Sequence, residues 1–220
     1  MAIEYGPKTP QESKMAAVLA DFTPADTALM LVDLQNDFIH PDGAYGRAGK
    51  SAPLISPLAD RLAPLAKRMR AAGGWVVSTH FTLVPMKGGE PFIAPHLKAL
   101  RPFLKKGDFV PGGWGQALFD TLAPADITIE KVAYSAFYMS RLEFALSHAG
   151  IRHLVFAGIV TNGGVASTLR DAHVRGFDVA VLEDGCGAFS EKAHNAALDD
   201  MASIALRTNI AAVSTWLDDN

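Results

Sequence analysis

Six short, unbroken apolar runs punctuate this chain and constrain its fold more than any other feature: Ala28–Asp33, Gly74–His80, Asp126–Lys131, His153–Ile159, Phe177–Leu182 and Ser203–Thr208. A strand covered on both faces has no polar side, so it shows a continuous hydrophobic run rather than an alternation, and such strands belong to parallel sheets. The segments between the runs change period. Leu58, Leu62, Leu65 and Met69 recur at helical spacing and predict one buried stripe, with Pro64 expected to delay or kink that helix. Met139, Leu142, Phe144, Ala145 and Leu146 ahead of Gly150, then Val165, Leu169 and Ala172, then Ala193, Ala196, Ala197 and Met201 predict three more helices. Strands alternating with helices predict an α/β fold, a parallel sheet with helices on both faces and right-handed crossovers.

A chain of 220 residues, 49% of them hydrophobic, supports one well-buried core, so a single domain over residues 25–220 is expected, with residues 1–24 as an N-terminal extension. Net charge is −3, with the basic residues dispersed, which argues against nucleic acid and membrane surfaces as partners. Without a membrane-length apolar run or a leader pattern, a cytoplasmic location is expected. Cys186 is the sole cysteine, so an intramolecular disulfide is excluded. The histidines His40, His80, His96, His148, His153, His173 and His194 form no ligand spacing, and neither a metal nor another cofactor is expected.

Two long irregular stretches, Ile39–Pro53 and Thr82–Gly115, follow strands. Open α/β sheets bind ligands beyond the carboxyl ends of their strands, so both stretches are expected to be pocket walls around a small-molecule substrate. Three strand ends carry potential chemistry: Asp33, Lys131 and the turn Gly158–Gly164. If their strands are neighbours, a carboxylate and an ammonium meet at one edge of the sheet, the ammonium favouring ionisation of the carboxylate and burial opposing it. Backbone N–H groups at the start of the helix near Asn162 offer a place for negative charge, and Gly163 and Gly164 allow close approach. Each feature also has a structural reading: a cap at Asp33, a solvated charge at Lys131, a capped sharp turn at Thr161 or Asn162. The nucleotide-binding glycine motifs are absent.

Taken together, Leu31–Phe38 (LVDLQNDF), Lys131–Phe137 (KVAYSAF), Gly158–Ala172 (GIVTNGGVASTLRDA) and Val181–Cys186 (VLEDGC) resemble the isochorismatase-like hydrolase superfamily, whose larger branch consists of cysteine hydrolases. The resemblance implies a six-stranded parallel sheet of Rossmann-like type and an Asp, Lys, Cys triad. Asp33 matches the acid/base and Lys131 the lysine, but the nucleophile position falls on Gly164. It also implies a cis peptide at Ile159–Val160, an oxyanion hole from the N–H groups of Val160 and Gly164, and a homo-oligomer, commonly a dimer or tetramer. Phe38 matches an aromatic pocket wall. Further candidate substrate contacts are His80, Trp114, Tyr134 and Asn162. Cys186, in the later motif, is not placed to replace the missing nucleophile.

Glycine cannot form the acyl-enzyme that amide hydrolysis needs in this family. Three readings follow: hydrolysis without a thiol, of a vinyl ether or an activated carbonyl, by the Asp/Lys pair and water; an amidohydrolase of ureidoacrylate or carbamoyl type whose Cys is replaced; or a ligand-binding relative without catalysis. True isochorismatases, similar to this chain over Lys131–Phe137, also carry Gly at this place. They have Trp-Arg where this chain has Val132-Ala133 and Ala-His where it has Thr161-Asn162, and Thr-Asn is typical of the amidohydrolase branch.

Overall fold

The computed structural model describes residue 19 and residues 21–220. Most of the N-terminal extension assigned to residues 1–24 therefore lies outside the described residues. Of what is described, Leu19 and Phe22 are buried in the core.

The six apolar runs form six strands: β1 (Thr27–Val32), β2 (Trp75–Phe81), β3 (Ile127–Lys131), β4 (His153–Ile159), β5 (Asp178–Gly187) and β6 (Leu206–Thr208). They make one sheet in the order β3-β2-β1-β4-β5-β6, and every pairing is parallel. β5 runs five residues beyond its apolar segment. The pairing with β4 slips between Phe156 and Gly158, so that Phe156 faces Val181 while Gly158 faces Cys186. This bulge absorbs Glu183, Asp184 and Gly185, the residues whose polarity hid the extension. β6 is shorter than its run, because Ile204 and Ala205 turn back onto Met201 through backbone hydrogen bonds.

Eight α-helices accompany the strands among the described residues: α1 (Asn36–Ile39), α2 (Ala44–Arg47), α3 (Leu58–Ala71), α4 (Pro95–Leu100), α5 (Leu142–His148), α6 (Ala166–Val174), α7 (Glu191–Met201) and α8 (Ile210–Asp218). α3 starts at Leu58 and carries Pro64 inside, so the proline neither delays its start nor ends it. α5 begins at Leu142. Met139, with φ +50 and 82% exposed, stands outside the helix, and Phe144 faces solvent. In α7 the buried residues are Ala197, Leu198 and Met201, while Ala196 is exposed.

Strand side chains alternate between the two faces of the sheet. Leu29 and Leu31 of β1 join α3 and α8 in one core cluster, and Met30 and Val32 join α5, α6 and α7 in the other. Helices thus cover both faces. α8 buries Val213, Trp216 and Leu217 in its own domain's core. A third, smaller cluster of Ala44, Tyr45, Leu83, Leu104 and Phe109 roofs the carboxyl edge of the sheet and is built from the two long loops. No helix among the described residues is long and apolar enough to cross a membrane.

The chain enters the sheet at β1, builds outward through β2 and β3, and returns to lay β4 on the other side of β1. The reversal point therefore lies between the ends of β1 and β4, where open parallel sheets leave a crevice. Asp33 ends one of these strands and the glycine turn ends the other.

Candidate active site

Asp33 is the first residue beyond β1, in the left-handed region at φ +56. Short polar side chains tolerate that conformation, which non-glycine residues otherwise avoid. Its amide still bonds to the Thr79 carbonyl of β2 at 3.0 Å, so the strand ladder holds the backbone while the turn aims the side chain. Lys131 closes β3, two strands away, about 10 Å at ordinary strand spacing. Its long stem crosses β2 and brings Nζ to 2.7 Å from Asp33 Oδ2, with side chains only 2% and 6% exposed. Lys131 Nζ also donates to the Ala133 carbonyl at 3.0 Å, and Thr79 Oγ1 donates to Asp33 Oδ1 at 3.0 Å. Burial raises the Asp33 pKa; Lys131 and Thr79 oppose it without overcoming it.

Beyond β4 the Ile159–Val160 peptide is cis, and Thr161–Val165 form a wide π-type turn leading into α6. Gly164 in this turn faces the carboxylate. A Cβ there would lie 2.9 Å from the Ile159 carbonyl oxygen, 3.1 Å from Asp33 Oδ2 and 3.3 Å from Val32 Cγ1. Side chains from the same motif brace the turn. Thr168 Oγ1 donates to the Gly164 carbonyl at 2.7 Å and accepts from the Ala136 amide at 3.1 Å, locking the segment after Lys131 onto α6. Ser135 Oγ bonds to Asp171, and Thr161 Oγ1 bonds to His194 Nδ1 at 2.8 Å.

A cavity of about 100 Å³ opens over this group, with Asp33, Lys131, Val160 and Gly164 among its lining residues. Its walls come largely from the two long loops, with Tyr45 from the first and Ile93, Leu97, Arg101 and Leu104 from the second; Phe38, Phe81, Val132, Tyr134 and Phe189 complete it. Both loops are therefore pocket walls, as their position after strands predicts. The remainder of the first motif holds them in place. Gln35 bonds across to Phe81 and to the Gln116 carbonyl, Asn36 Nδ2 donates to the Trp114 carbonyl at 2.9 Å, and the Asp37 carboxylate accepts from the amides of Ala44 at 2.9 Å and Phe109 at 2.6 Å.

Of the expected substrate contacts, Phe38 and Tyr134 line the cavity. Asn162 is exposed and borders an adjoining outer basin of about 300 Å³. His80 does not line the cavity. Thr79 faces Asp33, so the next residue faces the opposite side of β2, where His80 hydrogen-bonds Ser78 Oγ at 2.9 Å and burial lowers its pKa to about 4 against the opposing pull of Glu130. Trp114 also lies outside, half exposed, its ring edge-on to His40 at 5.0 Å. Cys186 is buried on β5 in the core, its Sγ 3.7 Å from the Phe156 carbonyl, and burial pushes its thiol pKa up. Arg101, Tyr45 and Leu104 lie on the two long loops, where an aperiodic stretch carries no signal that tells an inward residue from an outward one; Phe81 ends β2 and Phe189 follows β5, and neither carries a sequence signal of its place in the wall.

The fold and site define a parallel-sheet α/β protein with a buried carboxylate–ammonium pair beside its topological switch point. Residues 27–216 match the isochorismatase domain family. The ureidoacrylate amidohydrolase RutB of Klebsiella pneumoniae is 34% identical over 174 residues, 74% of each chain, and that of Klebsiella variicola is equally similar. A cysteine hydrolase from Pseudomonas syringae shares the fold with a TM-score of 0.75 at 21% identity, covering 90% of this chain and 95% of its own. The N-carbamoylsarcosine amidase of Thermoplasma acidophilum does so with a TM-score of 0.66 at 24% identity, over 84% and 96% respectively. The chain belongs to the isochorismatase family, and it is a hydrolase.

Proposed function

We propose that this hydrolase adds water directly to a small substrate, with no covalent intermediate at residue 164, using Asp33 as acid/base and Lys131 as its electrostatic partner. One observation carries the reading: Asp33 and Lys131 are in buried contact at 2.7 Å beside Gly164, where even a Cβ meets the Ile159 carbonyl at 2.9 Å. Burial raises the Asp33 pKa, which makes its protonated form available as a general acid. For a vinyl ether, Asp33 delivers its proton to the enol carbon and becomes a carboxylate, stabilised by Lys131. Water then adds to the oxocarbenium carbon and returns a proton to Asp33, and the resulting hemiketal separates into carbonyl and alcohol. Val160 and Gly164 line the cavity, and their backbone N–H groups would stabilise negative charge on oxygen.

A second reading, C–N bond hydrolysis, is supported by the 34% identity to ureidoacrylate amidohydrolase. There Asp33 would act as a base on the attacking water. The two readings give opposite pH profiles. Under general-acid catalysis kcat/KM falls as pH rises through the raised Asp33 pKa; under general-base catalysis it increases over the same interval.

The test is a panel of enol ethers, ureido acids and carbamoyl amides, assayed with the wild-type protein and with Asp33→Asn. The variant is expected to lose about 10²–10⁴-fold in turnover, the usual worth of a positioned acid or base, while its circular dichroism is unchanged. Undiminished turnover in Asp33→Asn would overturn the assignment.

A further inference from the structure

The charged side chains lining the cavity are Asp33, Lys131 and Arg101. The first two neutralise each other at 2.7 Å, so among the described residues Arg101 leaves an otherwise apolar chamber with one uncompensated positive charge. Arg101 forms no ion pair with a carboxylate among the described residues. Its guanidinium is held by a phenol instead: Nε donates to the Tyr45 hydroxyl at 2.9 Å. Tyr45 is 4% exposed and its ring stacks on Phe189, so the arm that fixes Arg101 is itself fixed. Burial raises the phenol pKa, which keeps Tyr45 neutral and leaves the arginine charge unbalanced. With Nε committed to Tyr45, the paired terminal nitrogens are the part of the fork suited to a planar anion. Arg101, with Tyr134, Val160 and Phe189, lines both the inner cavity and the outer basin and so stands at their junction, whereas Asp33 and Lys131 line the inner cavity alone.

We infer that Arg101 anchors a carboxylate of the substrate, which makes that substrate a small monoanion with an apolar body, its acid group at the junction and its reacting bond over Gly164. The inference rests on the hydrolase reading above only for which bond is broken. A phosphate dianion fits less well, because it brings more charge than one arginine balances in an apolar chamber. Phe38, Phe81 and Leu104 suit the body, since apolar walls give the affinity while one polar group gives the orientation.

Binding can be measured without knowing the substrate. Benzoate and isobutyrate, each paired with its primary amide, are titrated by NMR into the wild-type protein, Arg101→Met and Arg101→Lys, with thermal unfolding recorded for each. The wild type is expected to bind at least one acid about tenfold or more tightly than its amide, Arg101→Met to lose that preference, and Arg101→Lys to keep part of it. Three results would each overturn the anchor: no binding of either acid by the wild type at about 10 mM, equal affinity for acid and amide, or an unchanged preference in Arg101→Met. If Arg101→Met fails to fold, a wild-type-like preference lost in folded Arg101→Lys still supports the arginine fork, and a preference that Lys leaves fully unchanged counts against it. An Arg101-dependent preference in a protein that turns over no panel member keeps the anchor and overturns the water-addition reading instead.

Discussion

At Gly164 the nearest obstacle to a side chain is backbone: the Ile159 carbonyl at 2.9 Å from an added Cβ, with the Asp33 carboxylate next at 3.1 Å. No rotamer change relieves a contact with a carbonyl, so a substitution has to move the turn or β4. Gly164→Ala is expected to lower stability by about 1–3 kcal/mol, the usual cost of overpacking, as read by urea denaturation, and to reduce turnover by crowding Asp33. Gly164→Cys meets the same first contact and is expected to lose the native activity as well. Amidase activity together with iodoacetamide labelling at residue 164 would instead identify a disabled thiol enzyme. Asp33, Lys131 and Gly164 could be singled out from sequence because each ends a strand or opens a helix, and parallel strands bring such positions to one edge. Arg101 and Tyr45 could not. Their juxtaposition depends on how two aperiodic loops fold over each other, and nothing in either loop's own sequence records the other. His80 shows the converse: it closes an apolar run one residue before the end of β2, yet the period-two alternation turns it away from the site that Thr79 faces.

The elements that were readable are those whose burial repeats. β4 covers its apolar run residue for residue, and α3 and α6 bury the stripes that their spacing indicates. β5 extends past its apolar run where a bulge admits polar residues, and α5 starts later than its apolar pattern indicates because Met139 is apolar but exposed. The short motif after β1 has a division of labour that spacing alone does not reveal. Asp33 faces the cavity, while Gln35, Asn36 and Asp37 tie down the loops above it. Asp37 is the critical tie, since one carboxylate accepts from Ala44 in one loop and Phe109 in the other. Gly115 is confined by the same group, because a Cβ there would lie 2.1 Å from Asp37 Oδ2. Removing the acceptor leaves buried amides unpaired, at about 1–3 kcal/mol each. Asp37→Ala is therefore expected to destabilise the protein by an amount of that order and to raise KM more than it lowers kcat, because Tyr45 lies on the loosened loop while Asp33 does not. Hydrogen exchange at Ala44 and Phe109 checks the local claim; unchanged protection at both amides would refute it.

For the whole molecule, the parallel topology has an electrostatic consequence as well as a geometric one. The sheet gathers ionisable strand ends into a dry layer, and burial moves them in opposite senses: Asp33 up, His80 down to about 4. His80 is buried and neutral in the folded state, whereas in the unfolded chain it titrates near its ordinary value of 6.5. A depressed folded pKa gives stability that is present above 6.5 and is lost as pH falls toward about 4, because only the unfolded chain takes up the proton over that interval. Asp33 has the other sign, its contribution present below the usual carboxylate pKa and lost as pH rises through its raised value. The two are separated by comparing the wild type with His80→Gln, which keeps a hydrogen-bonding partner for Ser78 Oγ and leaves Asp33 in place. Between pH 6.5 and 4 the wild type is expected to lose stability more steeply than the variant, by as much as about 1.4 kcal/mol per pH unit, the slope for one proton. Denaturation curves at half-unit pH steps measure the difference. Parallel curves for the two proteins would mean that His80 takes up its proton in the folded state as readily as in the unfolded one, and that the layer beneath the site is wetter than its packing implies.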